Sequence, residues 1–330
     1  MKKIIKSISF LLLVGISLMS CSKKETLQNE KVLPFSNLYK NGGVVHNELL
    51  SVFLDSVIKN DFKLSQKIKT IVSKYHASQK SKGDIKTIVM SYKEEISSDE
   101  FVRLRDEINA VVADEVIPTS ISYLEQNGYY NEFYSIGINN PQIFISDVVD
   151  GIYNNAAFSN DQYINQLIST NSANFQNFVP ALKSLIETDW LNSGLSSKID
   201  SLKYSYLSQT SDPIEALAII NGCETAKSSF TYWNDPVNAT NWDAAILYSF
   251  NSGTFSNQIS SNAIINRNRT EVIVSDAVGA VVGVIEGARI GAAAGPGGAM
   301  IVGVTGMILR GAHASLSEYT RGKIFDWLGW

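Results

Sequence analysis

Three histidines, His46, His76 and His313, are the side chains best suited to proton transfer or metal ligation near neutral pH, and they stand far apart in the chain. His46 has one acid nearby, Glu48, which is too few donors for a metal centre. It reads instead as a hydrogen-bonding residue near a helix terminus. The acid pairs Glu94-Glu95 and Asp114-Glu115 are adjacent in sequence, so on a helix they diverge rather than converge as a general acid and base. Cys223 shares one helical face with Ile219, Ala226 and Phe230, at spacings of four, three and four, and reads as a packing residue. A nucleophile elbow, a phosphate-binding Walker loop, a zinc-protease HExxH and a dinucleotide fingerprint are all missing from the sequence. The sequence therefore nominates no catalytic residue, no metal ligand and no cofactor, and a non-enzymatic protein is expected.

Charge is distributed unevenly. Residues 106–182 hold 9 acids and no lysine or arginine, whereas residues 23–105 hold 15 basic and 10 acidic side chains. Such segments suit helices with complementary or solvated faces, the lysine-rich stretch from Lys59 to Lys93 being the natural partner of the acidic one. The other reading of the same stretch is a cation site at Asp147, Asp150, Asn154, Asn155 and Asp161, oxygen donors of the kind calcium takes, although no EF-hand spacing accompanies them. Over all 330 residues the net charge is −4; without the first 20 it becomes −7, 25 basic against 32 acidic. A mildly acidic chain argues against general nucleic-acid binding. With 45% hydrophobic residues the chain has enough apolar surface for a packed core and is not a disordered polymer.

The N-terminus carries the most specific signal. Lys2, Lys3 and Lys6 precede an apolar run from Ile8 to Met19, which is short for a membrane span and has the layout of an export signal. Leu18-Met19-Ser20-Cys21 resembles the lipobox of bacterial lipoproteins. That resemblance implies cleavage before Cys21, acylation of its thiol and its new amine, and a chain anchored to a membrane through lipid, since several acyl chains hold firmly where one holds marginally. Ser22 resembles the pattern sorted to the outer membrane, and the early Lys23 and Lys24 favour a periplasm-facing position over surface display.

Gly279, Gly283, Gly287, Gly291 and Gly295 recur at every fourth position, and Ala299, Gly303 and Gly311 continue the count, with Met307 the exception. Glycine costs a helix about 1 kcal/mol relative to alanine, so a face of them needs compensation, and close approach of a second helix supplies it. Ala294-Gly295-Pro296-Gly297-Gly298 should end one helix and turn the chain. A hairpin is thus expected, Glu271 to about Ala294 and Ala299 to about Tyr319, packing through Gly279, Gly283, Gly287, Gly291, Gly295 and Gly303. This pattern resembles the glycine-zipper lipoproteins of bacterial envelopes. Gly43, His46, Asn47 and Leu50 also fit a G-x-x-H-N-x-x-L pattern similar to uncharacterised lipoproteins of the Bacteroidota, a resemblance that implies no activity. Asp276, Glu286 and Arg289 interrupt the first arm, and only about eleven uncharged residues precede Arg310 in the second. Stable spanning of a bilayer is therefore not expected, and Glu286 and Arg289, three apart, are expected to pair with each other or meet solvent.

The expected fold is mainly α. It comprises a signal peptide (1–20), a tether (21–40), an irregular helical body (41–235), a loop-rich connector (236–270) that can hold one short helix around Asp243 to Tyr248, and the glycine-zipper helical hairpin with an aromatic C-terminal segment (271–330). Within the body, Asp212-Pro213-Ile214-Glu215 marks a helix start, and Gln142 to Ser146 could form a strand. Two functions are compatible with these features. One is a lipid-anchored envelope protein with a structural or interaction role, meeting an envelope-protein partner or self-associating through its glycine face. The other is a membrane-active protein, pore-forming or antibacterial, that uses the hairpin.

Overall fold

The computed structural model describes residues 36–80, 98–154, 161–251 and 262–328, and among these every regular element is a helix. In chain order they are α1 (Ser36–Lys59), α2 (Lys63–Lys80), α3 (Ser98–Gln126), α4 (Tyr130–Ser135), α5 (Pro141–Asn154) and α6 (Asp161–Ser169). There follow α7 (Ala173–Asp189), α8 (Leu195–Leu207), α9 (Pro213–Asn234), α10 (Pro236–Asn251), α11 (Asn262–Gly291) and α12 (Gly295–Leu328). The fold is mainly α. The expected signal peptide (1–20), Cys21 and most of the expected tether lie outside the described residues, and His76 lies on α2.

The longest helices, α11 and α12, form the core. They run antiparallel, joined by one 3₁₀ turn at Ala292–Ala294 and by Gly295, whose φ of +80° suits a residue without a Cβ. Helix α9 lies along α11, α3 lies on α12, and α1 fits between α9 and α12. Burial follows: Val281, Val282, Val284, Val302, Ile308 and Leu309 are sealed from solvent.

Local signals account for several boundaries. The Asp212 carboxylate accepts from the Ile214 and Glu215 amides at 2.7 and 3.0 Å, and Pro213 opens α9 at a position where a missing N–H costs nothing. Elsewhere the structure corrects the sequence. Gln142 to Ser146 is helical, the first part of α5, with Ile145 and Val148 turned inward and Ile143 outward. After Pro236 the chain is more helical than expected: α10 occupies Pro236–Asn251 and extends the short helix expected around Asp243 to Tyr248 in both directions, because Ala239, Trp242, Ile246 and Phe250 recur at helical spacing and are buried. On α1, Val45, Leu49, Phe53 and Val57 form the buried stripe, while Val52 points outward.

Candidate functional site

The glycines define the first level of the site. A Cβ built at Gly283 would lie 2.5 Å from the Gly306 carbonyl carbon, at Gly287 2.7 Å from that of Val302, and at Gly291 2.6 Å from that of Gly298. At Gly279 it would lie 2.8 Å from the Ala314 Cβ and 3.1 Å from the Arg310 oxygen. No side chain fits there, so the two backbones touch. The pairs 279/310, 283/306, 287/302 and 291/298 keep a single register about a turn centred between Ala294 and Gly295. The tightest second-arm positions are consequently Gly298 and Gly306, which a count by fours from Gly295 passes over. Gly303 lies beside this seam, where an added Cβ would come 3.1 Å from the Val284 oxygen, and Gly295 serves the turn rather than the interface, with nothing near its Cβ position.

Charges inside the seam depart from the sequence expectation. Glu286 does not pair with Arg289. It accepts from Arg310 across the hairpin, Nε to Oε2 at 2.6 Å and Nη2 to Oε1 at 2.7 Å, with both side chains buried. The two-point geometry gives this pair both strength and orientation. Arg289 is exposed and donates to Thr170 in the turn after α6.

A second polar group lies where α1, α9, α11 and α12 meet. Asp276 on α11 is fully buried and accepts from Ser229 Oγ and, at 3.3 Å, from Trp233 Nε1, both on α9. His46 Nε2 on α1 lies 3.6 Å from the same carboxylate, and the imidazole is 2% exposed. Burial raises the Asp276 carboxyl to about 6, with His46, Ser229, Ser315 and Trp233 opposing the rise. Trp233 in turn stacks on Tyr319 of α12, centroids 4.4 Å apart, and the Tyr319 hydroxyl donates to Asp243 of α10 at 2.6 Å. Lys323 reaches the same carboxylate at 2.8 Å, so the C-terminal part of α12 docks on α10. One turn from Arg310, His313 lies against the Asn109 carbonyl of α3 at 3.2 Å, and burial lowers it to about 4.

The G-x-x-H-N-x-x-L residues now have positions. A Cβ at Gly43 would lie 2.8 Å from the Glu224 carbonyl carbon of α9, the Asn47 amide donates to the Ser228 carbonyl at 2.9 Å, and Leu50 is fully buried. His46 is thus a core residue within α1 rather than one at its end. Sequence reading missed its link to Asp276, whose only local hint was a charge inside an apolar stretch. A carboxylate, an imidazole and a hydroxyl so enclosed can hold a proton, but no reactant reaches them unless the helices part.

The other nominated side chains stay separate. Cys223 is buried and its thiol is pushed up to about 12 by burial, which makes it a poor nucleophile. Asp147 and Asp150 are exposed on α5, while Asn154, Asn155 and Asp161 fall at or beyond the edge of the described residues. Among the described residues no three His, Cys, Asp or Glu side chains converge as metal ligands. Lys67 pairs with Glu115 at 2.8 Å, one contact between the lysine-rich and acidic stretches. The chain matches no protein-family model, no curated protein and no solved structure.

Proposed function

We propose that this chain is a lipid-anchored protein of the cell envelope, held through acylated Cys21 at the outer membrane and facing the periplasm, and that it acts as a structural or interaction module rather than an enzyme. The observation that carries the reading is the use of the glycine seam. Backbone meets backbone at 283/306, 287/302 and 291/298, so the chain itself fills the face through which a second copy would pack. The hairpin serves as an internal spine, and an envelope partner meets other surfaces. Acyl-chain labelling in a Gram-negative host tests the anchor: the wild type carries the label and fractionates with membranes, and Cys21→Ser loses both.

A second reading, membrane activity, draws on a different observation. Arg269–Ile324 is long and apolar enough to cross a membrane by length and composition, and its Glu286–Arg310 pair lies wholly within the hairpin. Leakage from dye-loaded vesicles separates the two. On the spine reading the full chain releases no dye between pH 4 and 8, and Gly287→Leu destabilises it; leakage by the wild type that Gly287→Leu abolishes without unfolding would replace this reading with the second.

A further inference from the structure

The register of α1 on the core fixes the end at which the chain enters it. Gly42 packs on Asn221 and Met307, Gly43 on Glu224, and Asn47 on Ser228, while Gly311 faces His46, so α1 runs parallel to both α9 and α12. The pairs 42/307 and 46/311 share one register, which sets Leu38 level with Gly303. At a rise of about 1.5 Å per residue, that level is about 12 Å from the hairpin turn at Gly295 and about 38 Å from Leu328 at the other end of α12. Residues 21–37, which join a lipid on Cys21 to Leu38, reach at most about 60 Å when fully drawn out. Facing a bilayer with the far end of α12 would use about two-thirds of that reach along the body, so the turn is the end brought to the lipid.

That end is apolar. Between Arg289 and Arg310 the chain has no charged residue, and Ala292, Ala293 and Pro296 at the tip are open to solvent. The connection between α4 and α5 lies against the tip, since a Cβ built at Gly297 would come 3.4 Å from Ile136 Cγ2. Tyr134 and Ile143, on either side of this connection, are 48% and 54% exposed. The surround is short of cations. Helices α4, α5 and α6 belong to the stretch 106–182 that holds no lysine or arginine, and Glu132 and Asp147 stand on them. Arg289, the nearest cation in the chain, donates to Thr170.

We propose that this end of the molecule is a membrane-surface contact, in which the tip at residues 292–297, with Tyr134 and Ile143, rests among the headgroups of a zwitterionic leaflet while the glycine seam stays closed. The contact rests on the lipid-anchored reading, which supplies the bilayer. Tyrosine and apolar side chains are favourable at that depth. A weak contact suffices, because the anchor makes the second encounter intramolecular. The acidic surround selects neutral over anionic lipid, whose surface potential repels it.

The acylated full chain in vesicles tests the contact. Ala293→Cys and, as a control, Leu191→Cys each take an environment-sensitive maleimide dye, since acylated Cys21 and buried Cys223 do not react. Leu191 is 78% exposed but follows α7, which runs parallel to α9 in the pairs 172/215 and 182/222 and so ends away from the tip. In phosphatidylcholine vesicles the emission at 293 should shift to the blue and be quenched by lipids brominated near the headgroup, with the dye at 191 unchanged. Exchanging part of the lipid for phosphatidylglycerol at low salt should reduce that quenching. A dye at 293 that stays in water on an acylated chain overturns the contact and leaves the anchor standing, whereas a chain without acyl label removes both. Quenching mainly by bromines at the acyl-chain ends would mean that the hairpin inserts, and stronger quenching on phosphatidylglycerol would mean a charge-driven site. A blue shift without vesicles that grows with protein concentration would assign the tip to a second copy, and each of these three results would overturn the proposal.

Discussion

At the scale of single residues the hairpin separates glycines that differ only in what faces them. Alanine gains about 1 kcal/mol over glycine in a helix interior, so the sign of each substitution is decided by space. At Gly287 the new methyl would meet the Val302 carbonyl carbon at 2.7 Å, and backbone cannot yield as a side-chain end can. Gly287→Ala should lower stability by about 1–3 kcal/mol, the usual cost of overpacking. At Gly311 the nearest atom is His46 Cδ2 at 3.4 Å, an ordinary contact, so Gly311→Ala should be neutral or stabilising. Urea denaturation of the two variants compares them directly, and equal losses would remove the close-approach explanation. The buried pair is a second residue-scale test. Arg310→Leu leaves Glu286 enclosed without its two-point partner and should cost roughly 3–5 kcal/mol, whereas Glu286→Leu with Arg310→Leu should cost less than the two single changes together.

At the scale of elements, Glu215 shows how one side chain can fix two helices. It lies in the first turn of α9, near the positive end of the helix dipole, and accepts from both the amide and the hydroxyl of Ser172 at 2.6 Å. Ser172 is the N-cap of α7, so α7 and α9 start from one shared node. Glu215→Ala should therefore destabilise more than Asp212→Ala, which loses a single cap of about 1 kcal/mol, and urea midpoints of the two variants would rank them. The start of α9 was legible because Asp212, Pro213 and Glu215 act within one turn. Helix α10 was legible only in part, around Asp243 to Tyr248, since Asn, Ser and Thr obscured the rhythm of its other buried side chains. The hairpin was legible from one arm, whose glycines repeat by fours. The contact positions on its second arm, Gly298 and Gly306, were not, because antiparallel partners are fixed by the centre of the turn and not by continuing a count through it. The His46–Asp276 contact was invisible because nothing local links helices so distant in the chain.

For the whole molecule the buried titratable groups act in opposite directions, and this opposition shapes the dependence of stability on pH. Asp276 is raised to about 6 by burial, so enclosing its charge is unfavourable at neutral pH, and that penalty disappears as pH falls from 6 toward 4. His313 is lowered to about 4 by burial, with Arg310 adding to the effect. Its neutral form is favourable to folding above the ordinary histidine value of 6.5, and that contribution is lost as pH falls toward 4. Each shift is on the order of 3 kcal/mol, and over this window the two act against each other. The contributions separate in variants, because Asp276 contacts α1 and α9 whereas His313 contacts α3. Measured relative to the wild type, so that surface carboxylates cancel, Asp276→Asn should lose stability between pH 7 and pH 4.5 while His313→Asn gains it. Urea midpoints at the two pH values give the comparison, and slopes of the same sign in both variants would mean that these two groups do not govern the pH response of the fold.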